Sequence, residues 1–576
     1  MRQSRRLGCC AGLLVAAVLA GAAGLLLLFR DRPSCDPPRY WHAAVAADTR
    51  RCSEVGRDIL KRGGSAIDAA IAALVCTSVL NPQSMGLGGG VIFTIYDAPT
   101  GKIEVLNARE RAPQNITEGL LKKCRGGLLP GSQWIAVPGE LRGYEEAHRH
   151  YGRLPWKDLF EPTIEMLSLG IRVSDVLSPF LTLLESPLKN SSSCQLLCND
   201  QRAVLSSGEV IDWTALEKTL KAVAENGAKE FYSGRTAEKL VQDVRAEGGT
   251  LTLEDLKNYH VELMKPVNMS LDKYTIFSAP RPAAGAVLFF ILNVLKGFNF
   301  TKVDLEEPNR RARVYHYIAE TLKFANGQRA KLDDPNFSKI KEEVLHEMMS
   351  DAFADHIRQL IDGRGDHPTS HYDLAQLKMA PFGTSHVAVL AEDGSAVSAT
   401  STINHPFGSM VYSQQTGIIL NNELADFCMK RSSKSISPVT GYLAASHWLQ
   451  NLPGEMPPSA MTPSILLSKD GKSKLIIGGS GGPLIIPAVA QAIVNKLWFG
   501  YDLDQAIGAP ILSATGSGSI QVEKQFPLNL TTALITMGHS VHTAQHVMNV
   551  VQGISQEGSC IFPYSDQRKR GEASGY

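Results

Sequence analysis

Thr384 follows Gly383 at the head of a strand-like run, and its hydroxyl becomes a usable nucleophile if the chain is cut immediately before it. A threonine oxygen is weakly nucleophilic by itself, but an N-terminal threonine carries its own base, the freed α-amine. Taken alone, a threonine after a glycine is an ordinary turn residue, so the position needs support from its surroundings. A second oxygen competes with it. Gly478-Gly479-Ser480-Gly481-Gly482 fits the G-x-S-x-G elbow of serine hydrolases, and Asp502 or Asp504, then His539, His542 or His546, follow in the order such an enzyme needs. Five small residues meet that pattern easily. Metal and nucleotide chemistry are not signalled. His346–Ser350 reads HEMMS without the second histidine of a zinc-protease helix, and Gly86, Gly88 and Gly89 miss the dinucleotide spacing at Val91, which leaves packing or turn glycines. The expectation is no cofactor and no metal.

The segments that would position Thr384 read as an α/β body. Thr384–Ala391 and Ser395–Ile403 flank an Asp393-Gly394 turn as a predicted hairpin, preceded by a turn-like stretch from Gln376 to Gly383. Val91–Tyr96 and Lys102–Asn107 form another hairpin around Pro-Thr-Gly, and Lys474–Ile477 is strand-like before the glycines at 478–482. Between the first hairpin and residue 380 helical patterns dominate, including a capping box at Thr252 and Asp255, so the strands concentrate in the C-terminal third. Ser53–Lys61 and Ser65–Val79 are helix-like, the second with Ile67, Ile71, Leu74 and Val75 on one face. Cys52 and Cys76 bracket this pair, and a disulfide there is worth on the order of 3 kcal/mol in the chain-entropy model. Cys194 and Cys198 form a second local pair; half a zinc site is the alternative, with nothing nearby to complete it.

Together these segments resemble the γ-glutamyltransferase family. Gly383-Thr384-Ser385-His386-Val387, Glu392 through Asn404, Asn421-Asn422-Glu423-Leu424-Ala425-Asp426-Phe427 and Gly481-Gly482 carry the likeness. Pro82 through Gly90 and Asn107-Ala108-Arg109-Glu110 extend it upstream, and the wording is most similar to the vertebrate γ-glutamyl leukotrienase branch. The resemblance implies an N-terminal-nucleophile hydrolase, an αββα sandwich formed by a heavy chain, 30–383, and a light chain, 384–576, that stay associated after self-cleavage. It implies that Thr384 attacks the γ-glutamyl amide of glutathione and of glutathione S-conjugates such as leukotriene C4, and that the acyl-enzyme passes to water, an amino acid or a dipeptide. Thr402 would hydrogen-bond the nucleophile, and the N–H groups of Gly481 and Gly482 would form the oxyanion hole. Arg109 would grip the donor α-carboxylate with Ser459 beside it, while Asn404, Glu423 and Asp426 would meet the α-ammonium. Two departures stand out: Ala460 replaces a second serine beside Ser459, and His405-Pro406-Phe407 replaces bulkier aromatic character, which predicts a more open mouth. An uncut, non-catalytic surface protein remains the rival from outside enzymology.

The chain has 576 residues, 44% of them hydrophobic, and 58 basic against 57 acidic side chains, a balance that argues against nucleic acid as a partner. One stretch breaks the balance. Residues 7–29 carry no charge, with Arg2, Arg5 and Arg6 before them and Arg30 and Arg32 after. As a helix they would cover roughly 34 Å, enough for a bilayer core, and the arginines place residues 1–6 in the cytosol. This predicts an uncleaved signal anchor and a single-pass type II plasma-membrane protein with its body extracellular. Asn115, Asn190, Asn268, Asn299, Asn336 and Asn529 begin sequons, all after the apolar segment, as glycosylation of an exterior body would require.

Overall fold

The computed structural model describes residues 39–374, 383–429, 452–544 and 550–576. The apolar segment 7–29, residues 1–6 expected in the cytosol, the turn-like residues before Gly383 and His546 lie outside them. Among the described residues no helix is long and apolar enough to cross a membrane.

Alternation along the strand that begins after Thr384 sets the layering. In β7 (Ser385–Leu390), Val387 and Val389 pack into a helical layer, while Ala388 and Leu390 pack with Ile465 and Ile476 of a second sheet. A strand buried on both faces needs cover on both sides. The first sheet has the order β13–β1–β7–β8–β2–β3–β4. These strands are Ser574–Gly575, Ala44–Ala46, Ser385–Leu390, Ala396–Thr402, Gly90–Asp97, Lys102–Ala108 and Glu262–Met264, all paired antiparallel. The second sheet runs β12–β11–β10–β9–β6–β5, namely Cys560–Ser565, Val550–Glu557, Ser473–Ser480, Ser464–Ser468, Tyr274–Ser278 and Val267–Leu271. Helices α1 (Arg50–Lys61) and α2 (Ala66–Leu80) cover the first sheet, and α3 (Gly285–Lys296), α4 (Pro308–Gln328) and α5 (Ile485–Leu497) build the core against the second. The result is the expected αββα sandwich.

Both hairpins form as read, and so does the Thr252–Asp255 capping box. The helix read over Ser65–Val79 forms, and its burial goes beyond the one apolar face: every residue from Ala66 to Val79 is buried. Its start is fixed by Asp68, whose Oδ2 accepts from the N–H of Ser65, Arg153 and Leu154. Among the described residues twelve of twenty strands lie after Thr384, as read, while Glu262–Met264, Val267–Leu271 and Tyr274–Ser278 join the two sheets from within the stretch where helical patterns dominate. Glu262–Met264 and Val267–Leu271 sit at sheet edges with alternate side chains exposed, whereas Tyr274–Ser278 lies inside the second sheet.

Cys52–Cys76 ties α1 to α2, and Cys194–Cys198 is a disulfide, which removes the half-zinc alternative. Cys124–Cys428, 304 positions apart, is a third pair that a search among local neighbours could not find. All six sequon asparagines are exposed. Gly88 and Gly89 press against the backbone of Ile419 and Thr402, a packing role as anticipated.

Candidate active site

The two ends of one hairpin create the centre of the site. Antiparallel pairing of β7 with β8 returns Thr402 beside Thr384, and the two Oγ1 atoms stand 3.0 Å apart. Thr402 Oγ1 also accepts the N–H of Asn404 at 2.8 Å, which fixes it in place. Thr384 has a φ of +98°, strained for a β-branched residue, and its N–H donates to the carbonyl of Ser84. Before it only glycine fits, because a Cβ on Gly383 would lie 2.0 Å from the carbonyl oxygen of Asn404. The Thr384 carbonyl oxygen accepts from Lys569 Nζ at 2.8 Å, and that ammonium is paired with Asp48 at 2.6 Å. Lys569 was not singled out in the sequence; it lies in a charged C-terminal run whose relation to residue 384 only the fold reveals. Lys569→Met should slow chain cutting by on the order of tenfold, measured as the time course of two-band formation, because a charge-assisted hydrogen bond is lost at the scissile residue.

Arg109, at the end of β3, is buried to 1% exposure and fully engaged. NH1 meets Glu423 at 2.7 Å and NH2 meets Asp426 at 2.8 Å, while Nε and NH2 also donate to the carbonyls of Pro457 and Pro458. Arg109 and Glu423 are therefore no surface charges. Both acids ride on one short 3₁₀ turn, Glu423–Met429. Glu110 lies 3.9 Å from the same guanidinium. Burial works against the charge on Arg109, yet the three carboxylates outweigh it and hold the guanidinium above its ordinary pKa. Burial pushes the Glu110 carboxyl up to about 8 and raises Glu423 and Asp426 as well, and a second guanidinium, Arg329, lines the same cavity and acts on Asp426. The Asn404 amide bonds the carbonyl of Asn422 and the Asp426 carboxylate.

Arg109, Thr384, Thr402, Asn404, Glu423, Asp426, Ser459 and Gly482 line one cavity of about 30 Å³, room for about one water. Ala460 lines it too, so the missing hydroxyl is missing at the site itself. On the other side of Thr384 opens a cleft of about 810 Å³, bordered by Gly481, Ser480 and Pro406 and walled by Val176, Phe180, Leu183 and Leu184. Gly481 and Gly482, with φ of 120° and 55°, make a turn open only to glycine between the two spaces. His405 and Phe407 do not stand over the mouth, in keeping with the more open mouth expected there. Both are buried, with His405 Nδ1 facing the Leu129 N–H, and only Pro406 borders the cleft. The serine elbow is not assembled either. His539 is sealed in another cluster, 2.8 Å from His316, and Ser480 Oγ has Lys569 at 3.5 Å instead of a histidine.

Near the site, Glu140 is buried beneath Ser401, and burial pushes its carboxyl up to about 8; the buried rings of His386 and His405 are lowered to about 3 and about 4. A raised acid contributes stability that is lost as pH rises from its unfolded value to its folded one, and a depressed histidine does the reverse. Between about 4.5 and 6.5 the two effects oppose each other. Above 6.5 the histidines are silent, so urea stability should fall from pH 6.5 to 8 by about 1.4 kcal/mol per unit per buried glutamate. Because Glu110, Glu140 and Glu423 are all raised, Glu140→Gln should reduce that slope by about a third in urea titrations at the two pH values; an unchanged slope would contradict it.

A threonine opening a strand of an αββα sandwich, with a free end attainable by one cut, defines the N-terminal-nucleophile hydrolase class. The chain belongs to the γ-glutamyltranspeptidase family, whose sequence profile matches residues 52–576. It is 50% identical over 561 residues to the glutathione hydrolase 5 proenzyme of Homo sapiens, covering 96% of each chain, and 49% identical over 557 residues to that of Rattus norvegicus, again 96% of each. Among solved structures, cephalosporin acylase from Bacillus halodurans superposes with a TM-score of 0.81 at 25% identity, over 95% of this chain and 99% of the other. The Helicobacter pylori γ-glutamyltranspeptidase gives 0.52 at 26% identity, over 59% of this chain and 96% of that one.

Proposed function

We propose that the protein is a self-processing glutathione hydrolase and γ-glutamyl transferase that works through Thr384. The observation that carries this reading is the Thr384–Thr402 oxygen pair at the junction of a charged cavity and a large cleft. In the uncut chain the Thr384 oxygen attacks the Gly383 carbonyl carbon, the C–N bond breaks as the nitrogen takes up the hydroxyl proton, and water hydrolyses the resulting ester. The heavy chain ends at Gly383 and the light chain starts with a free amine. The uncut form is a zymogen because its Thr384 nitrogen is tied up in a peptide bond and cannot serve as the base.

In the processed enzyme the α-amine takes the hydroxyl proton, Thr384 Oγ1 attacks the γ-carbonyl, and the Gly481 and Gly482 N–H groups take the developing oxyanion. The donor α-carboxylate meets Arg109 and Ser459. Its α-ammonium meets the crowded carboxylates of Glu423 and Asp426, with Asn404 beside it. The leaving cysteinyl peptide departs into the larger cleft, from which water, an amino acid or a dipeptide attacks the acyl-enzyme. The apolar wall of that cleft suits S-conjugates with long hydrocarbon chains, which supports leukotriene C4, cleaved to leukotriene D4, as a donor.

N-terminal sequencing of the purified body together with a glutathione cleavage assay tests processing and chemistry at once: a reduced light chain beginning at Thr384 and released glutamate are expected, and an uncut inactive chain would end the proposal. For the donor, turnover of leukotriene C4 should exceed that of a small γ-glutamyl anilide, and equal preference would count against the conjugate reading. The exposed sequons and the uncharged segment 7–29 support an anchored, glycosylated ectoenzyme with a type II topology.

A further inference from the structure

Cys124 and Cys428 are bonded to each other from opposite sides of the proposed cut. Cys428 belongs to the 3₁₀ turn Glu423–Met429, the same turn that presents Glu423 and Asp426 to Arg109. Cys124 ends another short turn, Leu120–Lys123. Around the bond Leu120 and Trp134 pack on Leu424 and Phe427 in a small core separate from the two large ones. The bond thus adds a covalent tether between two loops that otherwise meet through this small core, and one of them carries the acid pair of the donor site. Both cysteines are half-buried, whereas Cys52 and Cys76 are sealed at 0% exposure.

We propose that Cys124–Cys428 is an interchain strap that holds the acidic turn against Arg109, so that donor affinity depends on the redox state of this one bond. The inference rests on the cleavage and donor reading above. Opening the strap balances as ordinary exchange: a small thiolate attacks one Sγ and expels the other as thiolate, and a second displaces the mixed disulfide. Two cysteine thiols and one small-molecule disulfide result, with two electrons drawn from two thiols. The reductant is the class of cysteinyl-peptide thiols, which the reaction consumes and releases. Once the bond is open, Glu423 and Asp426 keep their turn but lose its tether. Thr384, Thr402 and Gly481 lie on other elements and keep their geometry, so the effect belongs to KM and not to kcat.

The test uses the processed enzyme with a thiol-free γ-glutamyl anilide. A non-reduced digest should give one peptide pair containing Cys124 and Cys428, one member from each chain. Cys428→Ser should raise KM about five- to tenfold with kcat within about twofold, and a mild phosphine reductant should do the same to the unaltered enzyme while adding nothing to the variant. Cys124→Ser should match it, and the double variant should be no worse than either single one. An unchanged KM, a parallel fall in kcat, or an additive effect of the reductant on the variant would overturn the strap. If the variants fail to fold, KM of the unaltered enzyme is followed against the occupancy of this disulfide by mass spectrometry; a KM that does not track it also overturns the inference. An enzyme that turns over the anilide but ignores the bond removes the strap alone, whereas a protein that turns over no γ-glutamyl donor removes the reading beneath it.

Discussion

Thr384→Ala should run as one uncut chain on a reducing gel and lose γ-glutamyl turnover by at least about a thousandfold, the scale seen when a nucleophile is removed from a unit that acts together. The physical reason is that one oxygen serves twice. It attacks the Gly383 carbonyl first and the donor amide afterwards, so its loss blocks both the making of the enzyme and its use. The φ of +98° at Thr384 and the Asn404 carbonyl pressed against Gly383 persist in the variant, and the fold with them. Thr384→Ser is the informative companion, since it keeps an oxygen there and should retain slow processing. Ser480→Ala, by contrast, should leave a two-chain product, because that oxygen faces Lys569 and no histidine. A Ser480→Ala protein without turnover, beside an active Thr384→Ala protein, would reverse the assignment.

The second large effect is expected from Arg109→Lys, in which kcat/KM for γ-glutamyl donors should fall by at least about a hundredfold, mainly through KM. A lysine keeps the charge, but four directed contacts, to Glu423, Asp426 and the carbonyls of Pro457 and Pro458, come from a planar fork. One ammonium at that depth cannot reach all of them. Each lost charge-assisted bond costs about 1.5–3 kcal/mol, and two of them suffice for the predicted loss. Arg109→Met should go further and lower stability by about 3–5 kcal/mol, since it leaves buried carboxylates without their cation. Steady-state kinetics and urea unfolding of the two variants separate the binding role from the structural one, and near-normal kcat/KM for Arg109→Lys would refute the assignment.

Much of this was legible in the residues because the signals were local. The hairpin from Ser385 to Thr402 announces itself by its Asp-Gly turn, and once it is drawn, pairing alone carries Thr402 to Thr384. The donor residues were legible only through their likeness to a family, since Arg109 and Glu423 are 314 positions apart and nothing in either segment points at the other. What stayed hidden was non-local and of mixed polarity. Lys569 reaches Thr384 from a run that reads as solvated charge, Cys124 finds Cys428 across 304 residues, and the edge strand Val267–Leu271 and its neighbour Tyr274–Ser278 lack a continuous apolar run. Nor could the sequence show that, within His405-Pro406-Phe407, only Pro406 borders the cleft while the His405 ring turns inward to face Leu129.

Strand β1, Ala44–Ala46, is bonded on one side to Ser385–Leu390 and on the other to Ser574–Gly575, and Tyr576 closes on the backbone of Trp41, His42 and Ala43. With the cut before Thr384, a heavy-chain strand lies between two that belong to the light chain, and the weave can be made only while the polypeptide is continuous. Folding must therefore finish before the enzyme exists. A denatured two-part molecule has lost the peptide link that set its register and keeps only disulfide connection between its parts, so recovery from heat or acid should be poorer than for the uncut chain, and where it fails the lifetime is governed by an unfolding rate instead of an equilibrium.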